Sequence, residues 1–181
     1  LSTPTPTPTA TPTPTAPPTP TATPTPTYTV GFTTQGTTLS QGSHDYMNGS
    51  KYTTGSNGGT TDSISVYVGN IGNSTHRSYQ LSIYTNKTNG KPGTLVASTS
   101  TGTHTVNSWN TLPITATLAA NTTYWLMYNN NGQNDSVNNI YYSTGTSNMG
   151  AYAERTFGTW PTNFPTPDMG NWKYSIYVTY H

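Results

Sequence analysis

Carboxylates and histidines are scarce in this chain, and their scarcity limits the chemistry it can do. The acids are Asp45, Asp62, Asp135, Glu154 and Asp168, the histidines are His44, His76, His104 and His181, and there is no cysteine. Cleavage of a glycosidic bond needs two carboxyl groups held about 5 to 10 Å apart. Nothing in the spacing of the five acids brings two of them together. His44-Asp45 is the one adjacent histidine and carboxylate, and no Gly-x-Ser-x-Gly elbow supplies a nucleophile. The Asn-rich loop 129–139 surrounds Asp135 with oxygens, but calcium sites draw on several carboxylates, and a turn is the simpler reading. No catalytic residue, metal site or cofactor is expected, and the chain does not read as an enzyme.

The chemistry present in quantity belongs to hydroxyls and amides. Over residues 1–27 threonine alternates with proline, at Thr3, Thr5, Thr7, Thr9, Thr11, Thr13, Thr15, Thr19, Thr21, Thr23, Thr25 and Thr27. Threonine with proline is the composition of O-glycosylated stalks, so each of these is an acceptor candidate. Five Asn-x-Ser/Thr sites, at Asn48, Asn73, Asn86, Asn121 and Asn134, are N-glycosylation candidates near strand ends or loops. Covalent glycans are therefore expected.

The tract has a period. Residues 5–10 read Thr-Pro-Thr-Pro-Thr-Ala, 11–16 repeat them, and 17–22 and 23–28 are close variants ending in Ala22 and Tyr28. Proline fixes φ and pushes its predecessor to extended geometry, which favours polyproline II at three residues per turn. A hexad is then two turns, and Ala10, Ala16, Ala22 and Tyr28 fall along one line of the rod. Such an arm spans roughly 80 Å at about 3.1 Å per residue, twice the roughly 40 Å width of the domain that follows.

Charge excludes further classes. Charged residues make up 6% of the chain and the formal net charge is +1. Nucleic acid and anionic membranes demand clustered Lys and Arg, whereas the basic residues here are scattered. No apolar run reaches the ~18 residues of a membrane helix. The start at Leu1-Ser2-Thr3-Pro4 lacks signal-peptide features and reads as a mature secreted form.

Beyond the arm, residues 28–181 suit one domain. Short alternating runs between Gly, Asn, Ser and Thr clusters predict strands at 63–68, 78–85, 93–98, 108–116, 122–129, 138–143 and 173–180, with shorter ones at 28–33 and 50–54. One parity is apolar: Ile64, Val66 and Val68; Tyr79, Leu81 and Ile83; Tyr124, Leu126 and Tyr128; Tyr174, Ile176, Val178 and Tyr180. These residues are the expected core of an all-β, two-sheet sandwich of jelly-roll type. Trp109, Trp125 and Trp172 are expected in it too. Tyr67, Tyr84 and Tyr177 have the opposite parity and, with Trp160 in a loop, are expected to offer exposed rings to sugars or another subunit.

The stretch Leu81-Ser82-Ile83-Tyr84 through Asn89-Gly90-Lys91-Pro92-Gly93-Thr94-Leu95-Val96-Ala97, then Ser108-Trp109-Asn110-Thr111 and Thr123-Tyr124-Trp125-Leu126, resembles β-sandwich modules of bacterial extracellular proteins. The choice-of-anchor modules of surface proteins are the group it is most similar to. The resemblance spans about two thirds of the domain and implies a sandwich with an extracellular or cell-surface location. It carries over no catalytic residue.

Two functions fit. One is a structural subunit of an extracellular glycosylated fibre, in which arm and β-domain of neighbouring copies touch; contacts that do not close into a ring generate filaments. Its partners would be copies of itself and glycans. Assembly candidates are Ala10, Ala16, Ala22, Tyr28, Val30 and Phe32. Tyr28-Thr29-Val30-Gly31-Phe32 alternates as a strand and can complete its own sandwich or a neighbour's, whereas the tract itself lacks the N–H groups of a ladder. The other function is a carbohydrate-binding or adhesion module on a glycosylated linker.

Overall fold

Alternating apolar parity places one face of each strand against a core, and two sheets with such faces bury them against each other. The computed structural model describes residues 1–4, 25–72 and 75–181 and contains no helix among them. Fifteen strands, numbered in chain order, pair antiparallel throughout. Sheet one runs β1 (Tyr28–Gly31), β15 (Ile176–Tyr180), β4 (Gly59–Val68), β8 (Ser108–Pro113), with β9 (Thr117–Leu118) also on β4. Sheet two runs β13 (Asp168–Gly170), β12 (Gly150–Glu154), β3 (Tyr46–Thr53), β10 (Thr123–Asn130), β5 (Ser78–Asn86), β6 (Pro92–Ser98), with β7 (Gly102–Thr103) on β5. A small third sheet is β14 (Trp172–Tyr174), β11 (Tyr141–Thr144), β2 (Thr38–Leu39). The orders β1-β15-β4-β8 and β3-β10-β5-β6 wind as the double Greek key of a jelly roll.

Between the two large sheets lies one core holding every residue of the expected apolar parity, from Ile64 to Tyr180. A second cluster packs on the far side of sheet two: Met47, Tyr84, Trp125, Met127, Ala151 and Ala153, under Phe164. Sheet two is thus buried on both faces. Sheet one is buried on one.

β1 closes the edge of sheet one within its own chain. Tyr28 lies opposite Tyr180 and Val30 opposite Val178, and the Phe32 N–H donates to the Ile176 carbonyl at 2.9 Å. Val30 is buried and Tyr28 and Phe32 are half-buried against the core, so these three assembly candidates serve the domain's own packing. Thr3, Thr25 and Thr27 are exposed. The other threonine candidates from Thr5 to Thr23, with Ala10, Ala16, Ala22, the polyproline II geometry and Asn73, lie outside the described residues.

Candidate functional site

Sheet two is wider than sheet one. β1 lies against β3, β15 against β10 and β4 against β5, so β12 and β13 overhang and their inner face has no strand of sheet one above it. The small third sheet fills part of that gap. What remains is an open groove of about 650 Å³, within the range of ligand sites.

Its floor is aromatic because β3 and β12 send alternate side chains inward there. Tyr152 is opposite Asn48 and Glu154 opposite Tyr46 in the register, which makes Tyr46 and Tyr152 diagonal neighbours with ring centroids 5.7 Å apart, edge to face. Trp172 stands 5.6 Å from Tyr152, and Tyr142 packs on Tyr174 at 5.8 Å. The polar rim comes from Thr38, Gln41 and Asp135, the last with its carboxylate 2.9 Å from His44 Nδ1. The side chains of Tyr46, Tyr142 and Trp172 make no hydrogen bond among the described residues, leaving two hydroxyls and one indole N–H free to bind.

The groove wall is held from behind. The Ser50 hydroxyl donates to the Trp172 carbonyl at 2.8 Å and accepts from the Tyr174 N–H at 2.9 Å. The Tyr52 hydroxyl donates to the Tyr174 carbonyl at 2.5 Å. Trp172 packs closely on Gly150 and Gly170: a Cβ built on Gly150 would sit 2.8 Å from Trp172 Cβ, and one on Gly170 would overlap the Trp172 ring. Glycine at both positions allows that approach.

Two carboxylates border the groove, Asp135 at its rim and Asp168 beside Tyr152, and no Lys or Arg is among its lining residues. Desolvation, and next the Asp168 carboxylate, hold the Tyr152 hydroxyl above the ordinary tyrosine range, so it remains a protonated donor at neutral pH. Among the described residues no three His, Asp or Glu side chains gather as a metal site. His44 pairs not with its sequence neighbour Asp45 but with Asp135, 91 positions away, while Asp62 is 2.9 Å from His181 Nδ1. A second, smaller recess of about 340 Å³ lies beside Lys51, Asn86 and Met149.

Another aromatic group lies on the outer face of sheet one. Tyr67 meets Trp109 at 5.4 Å and Tyr141 at 5.5 Å, and Trp109 meets Tyr177 at 4.8 Å, all near edge-to-face. The four are half-buried. Trp109, expected in the core, belongs instead to this surface strip: it is opposite Tyr67 in the β4–β8 register and shares its outward parity. Tyr67 and Tyr177 therefore stand on the open face as their parity predicted.

Tyr84 does not. Its ring is fully buried because residues 155–167 fold over the outer face of sheet two, bringing Phe164 to 5.1 Å and Trp160 to 6.3 Å. The Tyr84 hydroxyl donates to the Pro161 carbonyl at 2.7 Å. Trp160 is half-buried as part of that cover, and the fully buried Tyr84 offers no ring face to a ligand. Asn48 is also withdrawn as a glycan acceptor: it is 5% exposed and its amide donates to the Ser43 and Tyr46 carbonyls. Asn86 is half-buried, with its carbonyl accepting from Trp125 Nε1 at 2.9 Å. Asn121 and Asn134 are exposed.

Sequence reasoning missed Tyr46, Tyr142 and Tyr152 as residues lining one groove. The available signal was Tyr152 itself, a large ring between Ala151 and Ala153 with little apolar alternation around it. Compared with protein-family models and with curated proteins, the chain matches none, and its function must be argued from the fold and these two aromatic surfaces.

Proposed function

We propose that the chain is a structural subunit of an extracellular glycosylated fibre, built by contacts between the β-domain of one copy and the Thr-Pro arm of the next. The observation that carries this reading is polarity. The arm joins β1 at Tyr28, opposite Tyr180 at the end of β15. The groove lies toward the other end, where Tyr174 precedes β15 and Tyr46 begins β3. The six residue steps from Tyr174 to Tyr180 separate the two by roughly 20 Å at ~3.3 Å per step. An extension at one end and a recess toward the other make a heterologous pair, and heterologous contacts that do not close propagate as filaments.

Composition supports the extracellular part. With so few charges, solubility falls to hydroxyls, amides and the sugars that a Thr-Pro tract accepts. The resemblance to surface-protein sandwich modules points the same way. Electron microscopy of the full chain, beside a chain lacking residues 1–24, tests the reading: filaments are expected from the first and monomers from the second. Dispersed monomers of the full chain at every concentration would refute it.

A second reading, a carbohydrate-binding or adhesion module on a glycosylated linker, is favoured by the Tyr67–Trp109–Tyr177 strip. Aromatic faces with polar tips suit sugar rings. Retardation of the full chain in polysaccharide gels, lost in Trp109→Ala, would support it; unchanged mobility across neutral polysaccharides would remove it.

A further inference from the structure

We infer that the groove between β12 and the small third sheet is the receptor for residues 14–20 of a neighbouring copy's arm. The inference rests on the fibre reading and names the contact that would build it. Polyproline II segments have no internal hydrogen bonds and dock in aromatic-lined grooves, with PxxP spacing placing successive prolines on one side. The groove supplies the matching parts. Tyr46, Tyr152 and Trp172 give adjoining ring surfaces, and the free hydroxyls of Tyr46 and Tyr142 with Trp172 Nε1 are donors for the carbonyls that a polyproline II chain leaves unpaired. No Lys or Arg lines it, and the tract, with no charged residue, brings no acid to oppose the Asp135 carboxylate at the rim.

The arm has one place built for such a contact. In its hexads prolines recur at every second turn of a three-residue helix, except where Pro17 stands in the position that Thr5, Thr11 and Thr23 hold in the other repeats. In polyproline II geometry Pro14, Pro17 and Pro20 would fall on one line at consecutive turns. The same substitution makes 16–18 read Ala-Pro-Pro, the longest run without threonine between Thr5 and Thr27. The segment with a continuous proline ridge is also the one where attached sugars would crowd least.

Reach favours a neighbour over the chain's own groove. Pro17 lies 11 residues before Tyr28, roughly 34 Å of polyproline II at ~3.1 Å per residue, comparable with the domain's width of about 40 Å. An arm continuing the line of β1 back beyond Tyr28 would run away from the groove, because Tyr28 lies opposite Tyr180 at the far end of β15. Return to its own domain requires a reversal within residues 21–27, which contain only Thr, Ala and Pro and none of the Gly, Asn or Asp that make tight turns.

The test uses full chains and two kinds of defect. One variant carries Pro14→Ala, Pro17→Ala and Pro20→Ala; its control carries Pro6→Ala, Pro12→Ala and Pro24→Ala, with as many prolines removed from another line. A third carries Tyr152→Ala, with Tyr46→Ala as an independent groove variant should the first melt early. Fibres are expected from wild type and control and not from the ridge or groove variants. Mixing a ridge variant with a groove variant should give 1:1 dimers by sedimentation, since each copy keeps one good end, with affinity roughly thirtyfold above either variant alone, as expected of an aromatic hot spot. Fibres from both the ridge and the groove variants would overturn the inference and leave the fibre reading standing. Wild type that never assembles would overturn both. A groove variant that assembles normally but loses binding to a neutral polysaccharide would assign the groove to sugar and overturn the inference.

Discussion

Acid should weaken this domain through one side chain, His104. It is 4% exposed, stacked on Tyr79 with centroids 4.4 Å apart and planes at 15°, and its Nε2 is 2.9 Å from the Tyr128 hydroxyl. That hydroxyl already donates to the Asn138 carbonyl at 2.6 Å. Nε2 must therefore carry the proton and donate, leaving Nδ1 as a bare acceptor with no hydrogen-bond partner among the described residues. A second proton would put a charge into this apolar site. Desolvation lowers the pKa from 6.5 to about 3, the Arg77 backbone offsetting only part of the effect.

The sign follows from linkage. Between pH 6.5 and 3 the unfolded chain binds a proton at His104 and the folded chain does not, so stability from the neutral ring is complete above pH 6.5 and lost as pH falls. The slope is about 1.4 kcal/mol per pH unit, with a ceiling on the order of 5 kcal/mol across the window. Urea unfolding followed by fluorescence at pH 7, 6, 5 and 4 measures it, with His104→Phe as reference because phenylalanine keeps the stack on Tyr79. Phe forfeits the Tyr128 hydrogen bond and should start about 1 kcal/mol less stable at pH 7. The wild-type advantage should then shrink by roughly 2 to 3 kcal/mol between pH 6 and 4 and change sign. Parallel curves for the two proteins over that interval would refute the assignment of a neutral, Nε2-protonated His104.

Two other substitutions probe the packing. Tyr84→Ala should destabilise by about 3 to 5 kcal/mol, the range for a buried large ring, and expose residues 155–167 to limited proteolysis, whereas Tyr84→Phe should lose only about 1 kcal/mol with the Pro161 hydrogen bond; a melting temperature unchanged in Tyr84→Ala would mean the cover is not seated. Gly150→Ala should cost about 1 to 3 kcal/mol by overpacking against Trp172. Its effect should appear as a lower urea midpoint with an unchanged slope, and an unaltered midpoint would show that the groove wall is free to move.

Strand parity carried most of the fold because a two-sheet sandwich converts it directly into burial. All four apolar sets, from Ile64-Val66-Val68 to Tyr174-Ile176-Val178-Tyr180, line the core between the sheets. The turn at Asn89-Gly90 was legible for the same local reason: Asn89 accepts from the Lys91 N–H and Gly90 has φ 78. Parity failed at Tyr84 because β5 belongs to a sheet buried on both faces. The neighbouring β10 signalled this with the unbroken run Tyr124-Trp125-Leu126-Met127-Tyr128, the pattern of a strand covered on both sides. β12 escaped notice because Gly150, Ala151 and Ala153 have little strand propensity; Ala151 is opposite Gly49 beneath the cover formed by residues 155–167, where small residues fit. The groove was illegible for a different reason. Its rings come from Tyr46, Tyr142, Tyr152 and Trp172 on four strands, and only the overhang of sheet two brings them together.

On the fibre reading proposed above, that overhang would link fold to assembly. A jelly roll whose two sheets matched in width would bury Tyr46 and Tyr152 in its core, and an overhang left bare would expose an apolar sheet face and edge. The third sheet resolves the conflict partway. It is tied by Ser50 and Tyr52 to the backbone of Trp172 and Tyr174, covers the part nearest the core and leaves a rigid slot. Rigidity matters for what the slot can bind. A receptor that must order itself on binding loses affinity to that ordering, and so does a ligand. An arm in polyproline II would be largely preordered, as would a slot held by buried hydrogen bonds, and under the proposed docking a small contact would then suffice. Loosening the slot should therefore weaken assembly more than its lost contact area predicts. Ser50→Ala, which touches no groove surface but frees the Trp172 carbonyl and the Tyr174 N–H, is the discriminating change. If assembly of Ser50→Ala matches wild type at equal domain stability, preorganisation of the slot is not what holds the copies together.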